Sequence, residues 1–184
     1  VILFFIYYSL AEFNPVTMTV TSSKDKLEIK NGATRESSEF HEKLRNPQET
    51  MRTFLSAMDR VKSGKNDAFK EAIETLDLSL VDPQVRNLTG KITAERLINT
   101  LDRIEKISYA RIPTYENGPK WYFRKQAVGG GEDIYDVEIA ISKTTEGDWK
   151  FSTETVSTIE NFYSSLAHLK VVHGVTEYRN WRIR

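Results

Sequence analysis

Residues 41–45, which read His-Glu-Lys-Leu-Arg, begin like the His-Glu-x-x-His pattern of zinc proteases. In that pattern two imidazoles on one helical face bind the metal, and the glutamate acts as general base. Arg45 stands where the second histidine is required. The other two histidines, His168 and His173, lie at the end of the last predicted helix and just beyond it. We therefore expect surface histidines, no metal site and no cofactor.

Acidic side chains and serines are the other residues that could carry catalysis. Asp133, Asp136 and Glu138 could supply a general acid and a general base. Alternation along a strand places Asp136 and Glu138 on one face, opposite Val137 and Ile139, and this pattern is typical of a solvated face. The serines have no Gly-x-Ser-x-Gly elbow, and the chain has no cysteine. The sequence therefore predicts no enzymatic activity and no catalytic residues.

Three consecutive glycines at residues 129–131 have two interpretations, a phosphate-binding loop or a flexible hairpin connection. A phosphate loop leads from a strand into the N-terminus of a helix, whose N–H groups hold the anion. These glycines lead into Glu132 and Asp133 and then into a predicted strand. Because two carboxylates would repel phosphate, the pattern favours the hairpin connection.

Two shorter motifs have both a functional and a structural interpretation. Residues 121–123, Trp-Tyr-Phe, could line a ligand pocket, although core packing is the favoured explanation. Residues 87–89, Asn-Leu-Thr, form an N-glycosylation sequon, which matters only in a eukaryotic secretory pathway. Neither motif indicates an activity by itself.

The composition is that of an ordinary globular chain. It has 184 residues, 28% of them charged, with 26 basic and 26 acidic side chains and a formal net charge of zero. Nucleic-acid binding through bulk electrostatics needs a basic excess, so we expect no nucleic-acid partner. The length suggests one domain, and a domain of this size needs no metal or disulfide to be stable.

The two ends of the chain differ from its middle. Residues 1–10 are apolar and uncharged, and Ser-Leu-Ala at 9–11 resembles a signal-peptide cleavage site. We therefore expect residues 1–11 to be part of a signal peptide, the alternative being the end of a transmembrane helix. Residues 12–45 are polar and predict a mostly extended linker. Residues 170–184 form a basic, aromatic tail that suits a membrane surface, although a plain helix or coil fits equally well.

Apolar residues recur at helical spacing in three segments of the central region, residues 46–169. Asn46 can cap the first helix, with Pro47 at its first position and Glu49 placed to return the capping bond. Gly64 is predicted to end this helix. The three apolar faces consist of Met51, Phe54, Leu55, Met58 and Val61, then Phe69, Ala72, Ile73 and Leu76, then Ala94, Leu97, Ile98, Leu101 and Ile104.

The second helix is predicted near residues 67–76, and Pro83 separates it from the third. The period then changes from 3.6 to 2, which predicts strands around 121–124, 135–142 and 149–151. After a cap at Ser152, a closing helix has Val156, Ile159, Tyr163, Leu166 and Leu169 on one side. This order predicts an α+β fold in which helices pack on one face of a small antiparallel meander, followed by a closing helix.

Five stretches of the central region have a distinctive order and spacing. They are residues 47–58 (Pro-Gln-Glu-Thr-Met-Arg-Thr-Phe-Leu-Ser-Ala-Met), 76–79 (Leu-Asp-Leu-Ser), 97–107 (Leu97, then Leu-Asp-Arg-Ile at 101–104, then Ile107), 147–152 (Gly-Asp-Trp-Lys-Phe-Ser) and 154–163 (Glu-Thr-Val, then Ile159 and Tyr163). Over residues 46–166 this arrangement resembles the extracytoplasmic N-terminal domain of some bacterial channels of the small-conductance mechanosensitive family. The stretch from 149 to 156 is the most specific part.

The resemblance implies an exported helix-then-sheet module on the periplasmic side of the inner membrane, preceding the membrane helices of an ion-transport protein. It implies an accessory, non-catalytic role with no catalytic residues to carry over. It also implies a homo-oligomer, assembled through membrane and cytoplasmic parts outside these 184 residues. The helical opening and the Gly-Asp-Trp-Lys-Phe ending further resemble the cone-shaped nuclear-transport-factor-like fold, which often holds a small-molecule pocket. A free-standing exported binding module or small enzyme of that class is therefore the alternative.

Overall fold

The computed structural model describes residues 41–128 and 134–176, and over these residues it confirms the α+β fold. The elements in chain order are α1 (Pro47–Lys62), a 3₁₀ turn (Asn66–Ala68), α2 (Phe69–Glu74), α3 (Arg86–Ile104), a second 3₁₀ turn (Tyr109–Arg111), β1 (Trp121–Val128), β2 (Ile134–Lys143), β3 (Trp149–Phe151) and α4 (Thr153–Leu166). The three strands form one antiparallel sheet in the order β1-β2-β3, which is the predicted meander.

The start of α1 follows the capping prediction in one respect and departs from it in another. The Asn46 side chain accepts a hydrogen bond of 2.9 Å from the Glu49 backbone N–H, and Pro47 occupies the first turn. Glu49 does not return the bond, because its carboxylate accepts from Arg52 at 2.9 Å instead. At the other end the helix stops before Gly64, whose φ of 90° lies in the left-handed region that suits glycine.

The second helix is shorter than predicted. It ends at Glu74, and Leu76 leaves the helical path to form a parallel bridge with Phe151 of β3. The Phe151 N–H donates to the Thr75 carbonyl at 2.8 Å, and the Asp77 N–H donates to the Phe151 carbonyl at 2.9 Å. The outer edge of β3 is thus paired with the connection after α2, so tertiary hydrogen bonds replace the last predicted helical turn.

The core lies between the helices and one face of the sheet. The predicted inward residues Val137, Ile139 and Ile141 of β2 are buried, and Phe123 of β1 lies opposite Ile139 in the register. Both Trp149 and Phe151 are 0% exposed, which confirms that β3 packs under the helices. The largest side chains that are less than 2% exposed are all apolar or aromatic. They are Trp149, Phe54, Phe151, Leu44, Met51, Met58, Leu97, Ile98, Leu101, Ile139, Ile141 and Ile159.

The closing helix α4 begins as predicted and ends earlier. The Ser152 side chain accepts from the Thr155 backbone N–H at 3.3 Å, which confirms the cap. The helix ends at Leu166, so Leu169 lies beyond it, although Leu169 still packs against the core. The Leu169 carbonyl accepts a 3.0 Å hydrogen bond from Arg103, and this tertiary bond fixes the chain after the helix.

Contacts of this fold reach back to His41, before the predicted boundary at Asn46. Leu44 is 1% exposed, and its carbonyl accepts from the Trp149 N–H at 2.7 Å. The Lys43 carbonyl accepts from the Thr53 hydroxyl at 3.0 Å. The described residues that precede α1 are therefore tied to β3 and to α1.

Gly90, in the second turn of α3, permits the close approach of α3 to the segment around α2. A Cβ placed there would lie 2.8 Å from Ile73 Cγ2 and 2.9 Å from Leu78 Cδ1, which is too close for carbon atoms. We expect Gly90→Ala to lower the free energy of unfolding by about 1 kcal/mol, because overpacking outweighs the better helix propensity of alanine. Chemical denaturation measures this difference. In the double variant Gly90→Ala/Ile73→Ala the losses should be less than additive, and full additivity would contradict the packing explanation.

Candidate binding cleft

A cleft of about 450 Å³ opens between the C-terminal parts of α1 and α3, the connection that follows α3, and residues 174–176. We call it the Lys62–Asp102 cleft. Its apolar lining consists of Leu55, Ile98, Leu101, Ile107 and Val175. Sites that bind small molecules typically combine such an apolar surface with a few polar groups that fix orientation, and a volume of this size falls in their usual range.

A buried ion pair forms part of the wall of this cleft. Lys62 Nζ lies 2.8 Å from Asp102 Oδ2, and each side chain is only 7% exposed. Lys62 stands in the last turn of α1, where a cation interacts favourably with the helix dipole. The 2.8 Å separation is a hydrogen-bond distance for an ammonium and a carboxylate, so a hydrogen bond adds to the charge attraction. The wall of the cleft therefore contains one positive and one negative group that are paired with each other.

Burial sets the electrostatics of the cleft. It raises the pKa of Asp102, while the hydrogen-bonding and charge interaction with Lys62 acts in the opposite direction. Burial also raises the pKa of Tyr109, against the attraction of Arg52. The Tyr109 phenol is therefore protonated at neutral pH and can both donate and accept. Asp59 lines the rim, 3.9 Å from Lys62 Nζ, and its side chain is 74% exposed.

The residues that follow α4 run along the same cleft. The Val172 N–H donates to the Asp102 carbonyl at 2.8 Å, and Arg103 donates to the Leu169 carbonyl. Gly174, Val175 and Thr176 then contribute to the lining. Asp102 thus holds Lys62 through its side chain and the exit segment, residues 172–176, through its backbone.

The groups in the cleft are suited to binding. They supply a buried ammonium, carboxylates and a phenol above apolar side chains, which can orient a polar molecule. The Ser63 hydroxyl donates to the Asp59 carbonyl at 2.9 Å, so it is engaged in closing α1. This arrangement can recognise a ligand by charge and hydrogen bonds.

All three histidines are exposed, as expected, and His168 and His173 both lie beyond the end of α4. His41 Nδ1 lies 2.5 Å from Asp148 Oδ1, next to the turn before β3. His168 contacts the Tyr135 ring edge-on at 5.8 Å, and His173 is exposed. Within residues 41–128 and 134–176, no group of three or more His, Asp and Glu side chains could hold a metal ion.

The acidic positions of β2 are solvated, as predicted, whereas Ala140, predicted on the same face, is buried. The start of α4 lies against it, since the Thr155 hydroxyl accepts from the Ala140 N–H and donates to its carbonyl. Asp136 and Glu138 are both exposed. Asp136 accepts from Gln126 at 3.0 Å, and Glu138 pairs with Arg124 at 2.5 Å across the strands. Asp133 and the glycines at 129–131 lie outside the described residues.

The remaining motifs are divided between core and surface. Phe123 is buried in the core, Trp121 packs partly against it, and Tyr122 is 38% exposed. The favoured core interpretation is thus confirmed for Phe123, while all three aromatic residues also line a smaller pocket beside β1. Asn87 of the sequon is exposed in the first turn of α3.

Sequence analysis missed both members of the buried ion pair. Asp102 stands four residues after Ile98, so its position on α3 is next to the apolar face, and this was the available signal. Lys62 looked like an ordinary basic residue at a helix end. Nothing in the sequence indicated that these two positions meet.

None of the helices in the described part of the chain is long and apolar enough to cross a bilayer. Comparison of the chain with protein-family models, with curated proteins and with solved structures found no match.

Proposed function

We propose that this domain is a non-catalytic, ligand-binding accessory domain of an exported membrane protein, positioned on the periplasmic side of the inner membrane. The observation that carries the binding role is the position of the exit segment on the Lys62–Asp102 cleft. The resemblance to the extracytoplasmic domain of mechanosensitive channels supports the membrane-protein context.

The residues that carry this resemblance are largely core residues. Phe54, Leu101, Trp149, Phe151 and Ile159 are each 0–1% exposed. Core positions determine which fold a sequence can adopt, so a likeness at these positions supports a shared type of domain. It does not specify a ligand, which is why the cleft carries that part of the proposal.

In the proposed membrane protein, the exit segment connects the cleft to the parts of the protein that follow it. A molecule that contacts Lys62 and Asp102 also lies beside residues 174–176, which line the same space. Binding that favours one position of this segment shifts its population, and the parts of the protein that follow it respond. Ligand binding to the periplasmic domain would thus change the conformation of a membrane-embedded region, and no chemical reaction is needed.

A reporter experiment tests the location. We expect a reporter enzyme that works only in the periplasm to be active when fused after Arg184 in the complete gene. The reading frame beyond Arg184 should encode apolar stretches of about 20 residues, the length that spans a bilayer. A fusion of the same design with a cytoplasm-specific reporter is the matched control. Activity of the cytoplasmic reporter alone would contradict export.

A second candidate function is a free-standing exported binding module, and the cleft with its polar and apolar lining favours it. Both candidates predict periplasmic reporter activity. They differ in fractionation of the complete native gene product: the accessory domain remains with the membrane after a high-salt wash, while the free module appears in the soluble periplasmic fraction. Recovery in the soluble fraction, with a reading frame that stops near Arg184, would overturn the accessory role.

A further inference from the structure

A second pocket, of about 170 Å³, lies beside β1 and the connection that follows α3. We call it the Arg111–Lys125 pocket, since these two cations line it together with Glu105, Ser108 and Trp121. Its volume is well below the ~300–1,000 Å³ typical of sites for drug-sized molecules. An occupant must therefore be small.

The charges in this pocket do not balance. Glu105 is shared by two cations, Lys125 at 3.0 Å and Arg111 at 3.4 Å. A single carboxylate neutralises one of them, which leaves one positive charge in excess. The side chains of Arg111 and Lys125 are 61% and 34% exposed, so N–H donors of both remain accessible to a ligand. Arg124 adds little, because it pairs with Glu138 and lies over the Tyr122 ring.

The walls of the pocket supply apolar surface and a strand edge. The Trp121 ring, Ile107 and Ile112 line it, and Trp121 is only partly buried. Strand β1 is at the edge of the sheet, so alternate backbone N–H groups point away from β2. Within the described residues, these groups make no backbone hydrogen bond to another segment. This edge presents C=O acceptors as well as N–H donors, so the excess cation is the feature that favours a negatively charged ligand.

We propose that the Arg111–Lys125 pocket binds a small organic anion, namely a carboxylate attached to an apolar or aromatic body. Guanidinium and ammonium groups recognise carboxylates through charge-assisted hydrogen bonds, and Arg can do so with two parallel bonds. The apolar body contacts the Trp121 ring. Glu105 and Ile107 line both this pocket and the Lys62–Asp102 cleft, whereas Arg111 and Lys125 line this pocket and not the cleft. The proposal rests on these two cations and does not depend on the function proposed for the cleft.

Titration with three probes tests the proposal on residues 1–184, with binding followed by calorimetry and by tryptophan fluorescence. Benzoate has the proposed chemistry, benzylamine reverses the charge on a similar body, and inorganic phosphate has charge without an apolar body. We expect saturable benzoate binding with a dissociation constant of about 1 mM or lower, no benzylamine binding, and phosphate binding at least about tenfold weaker. Equal responses to benzoate and benzylamine, or phosphate binding as tight as benzoate, would overturn the proposal.

Variants locate the binding site. Lys125→Gln is expected to weaken benzoate binding about tenfold, because it removes a charge-assisted hydrogen bond. Lys120→Gln is the matched control: Lys120 pairs with Glu154 outside the pocket, so benzoate affinity should not change. Asp59→Asn alters the exposed rim of the Lys62–Asp102 cleft and should likewise have no effect. A benzoate affinity that depends on Asp59 and not on Lys125 would assign binding to the cleft and overturn the proposal.

Discussion

Replacing Trp149 with alanine is expected to lower the free energy of unfolding by about 3–5 kcal/mol. The side chain is 0% exposed, and its ring lies 5.6 Å from that of Tyr115. Its Nε1–H donates to the Glu116 carbonyl at 3.0 Å. Truncation removes the largest side chain of the core and leaves a cavity that the surrounding β3 and α1 cannot fill without moving. Urea denaturation measures the loss, provided that the slope of the unfolding free energy against urea concentration is the same in the variant and the wild type.

Two variants separate the contributions of Trp149. Trp149→Phe keeps an aromatic ring and removes the hydrogen bond to Glu116, so we expect it to retain most of the stability lost in the alanine variant. Trp121→Ala removes the same side chain from a partly buried position, and its cost should stay below about 2 kcal/mol. If Trp149→Ala cost no more than Trp121→Ala, the placement of Trp149 at the centre of the core would be wrong.

Replacing Lys62 with methionine should have a comparably large effect, a loss of about 3–5 kcal/mol at neutral pH. The reason is the partner that remains: Asp102 is 6% exposed and would be a buried carboxylate without a counter-ion. In the double variant Lys62→Met/Asp102→Leu no charge remains to be buried. We expect that variant to be as stable as the wild type or more stable by about 1–4 kcal/mol. A double variant less stable than Lys62→Met would contradict this explanation.

The loss in Lys62→Met should depend on pH. Burial already raises the pKa of Asp102 above its ordinary value of 3.8, and removal of the opposing Lys62 raises it further. Between 3.8 and the raised value, the folded variant binds more protons than the unfolded one, so its stability falls as pH rises. The destabilisation is therefore greatest above the raised pKa and shrinks as pH falls towards 3.8. A loss that is constant with pH would show that Asp102 does not titrate in response to Lys62.

Sequence patterns predicted the structure correctly where it depends on one face of a single helix or strand. The apolar spacing in α1 and α3 predicted most of their buried apolar residues, although Leu55 and Ile104 are only partly buried. Asn46 and Ser152 predicted two helix caps that the structure contains. Alternation in β2 predicted that Asp136 and Glu138 are solvated, but it was wrong for Ala140, which is buried. These features depend on residues within a few positions of each other, so their physical cause is present in the local sequence.

Features that join distant segments were decided by the tertiary structure. Leu76 leaves a predicted helix because β3 forms a backbone bridge with it. Leu44, in the predicted linker, is 1% exposed, and its carbonyl accepts a hydrogen bond from Trp149 of β3. In each case a backbone hydrogen bond to a distant segment replaces the structure that the local sequence predicts. Which groups form such bonds depends on which segments the fold brings within hydrogen-bond distance.

Composition, periodicity and capping signals of the 184 residues determined the α+β class, the order of the elements and most of the core. Both pockets arose from the tertiary structure alone. Lys62 and Asp102 are 40 positions apart and meet only because α1 and α3 end side by side, and Glu105 meets Lys125 only because β1 returns to the end of α3. The sequence shows where each charged residue stands along the chain. A binding site depends on the distances between charged residues in space, and the packing of the core determines those distances.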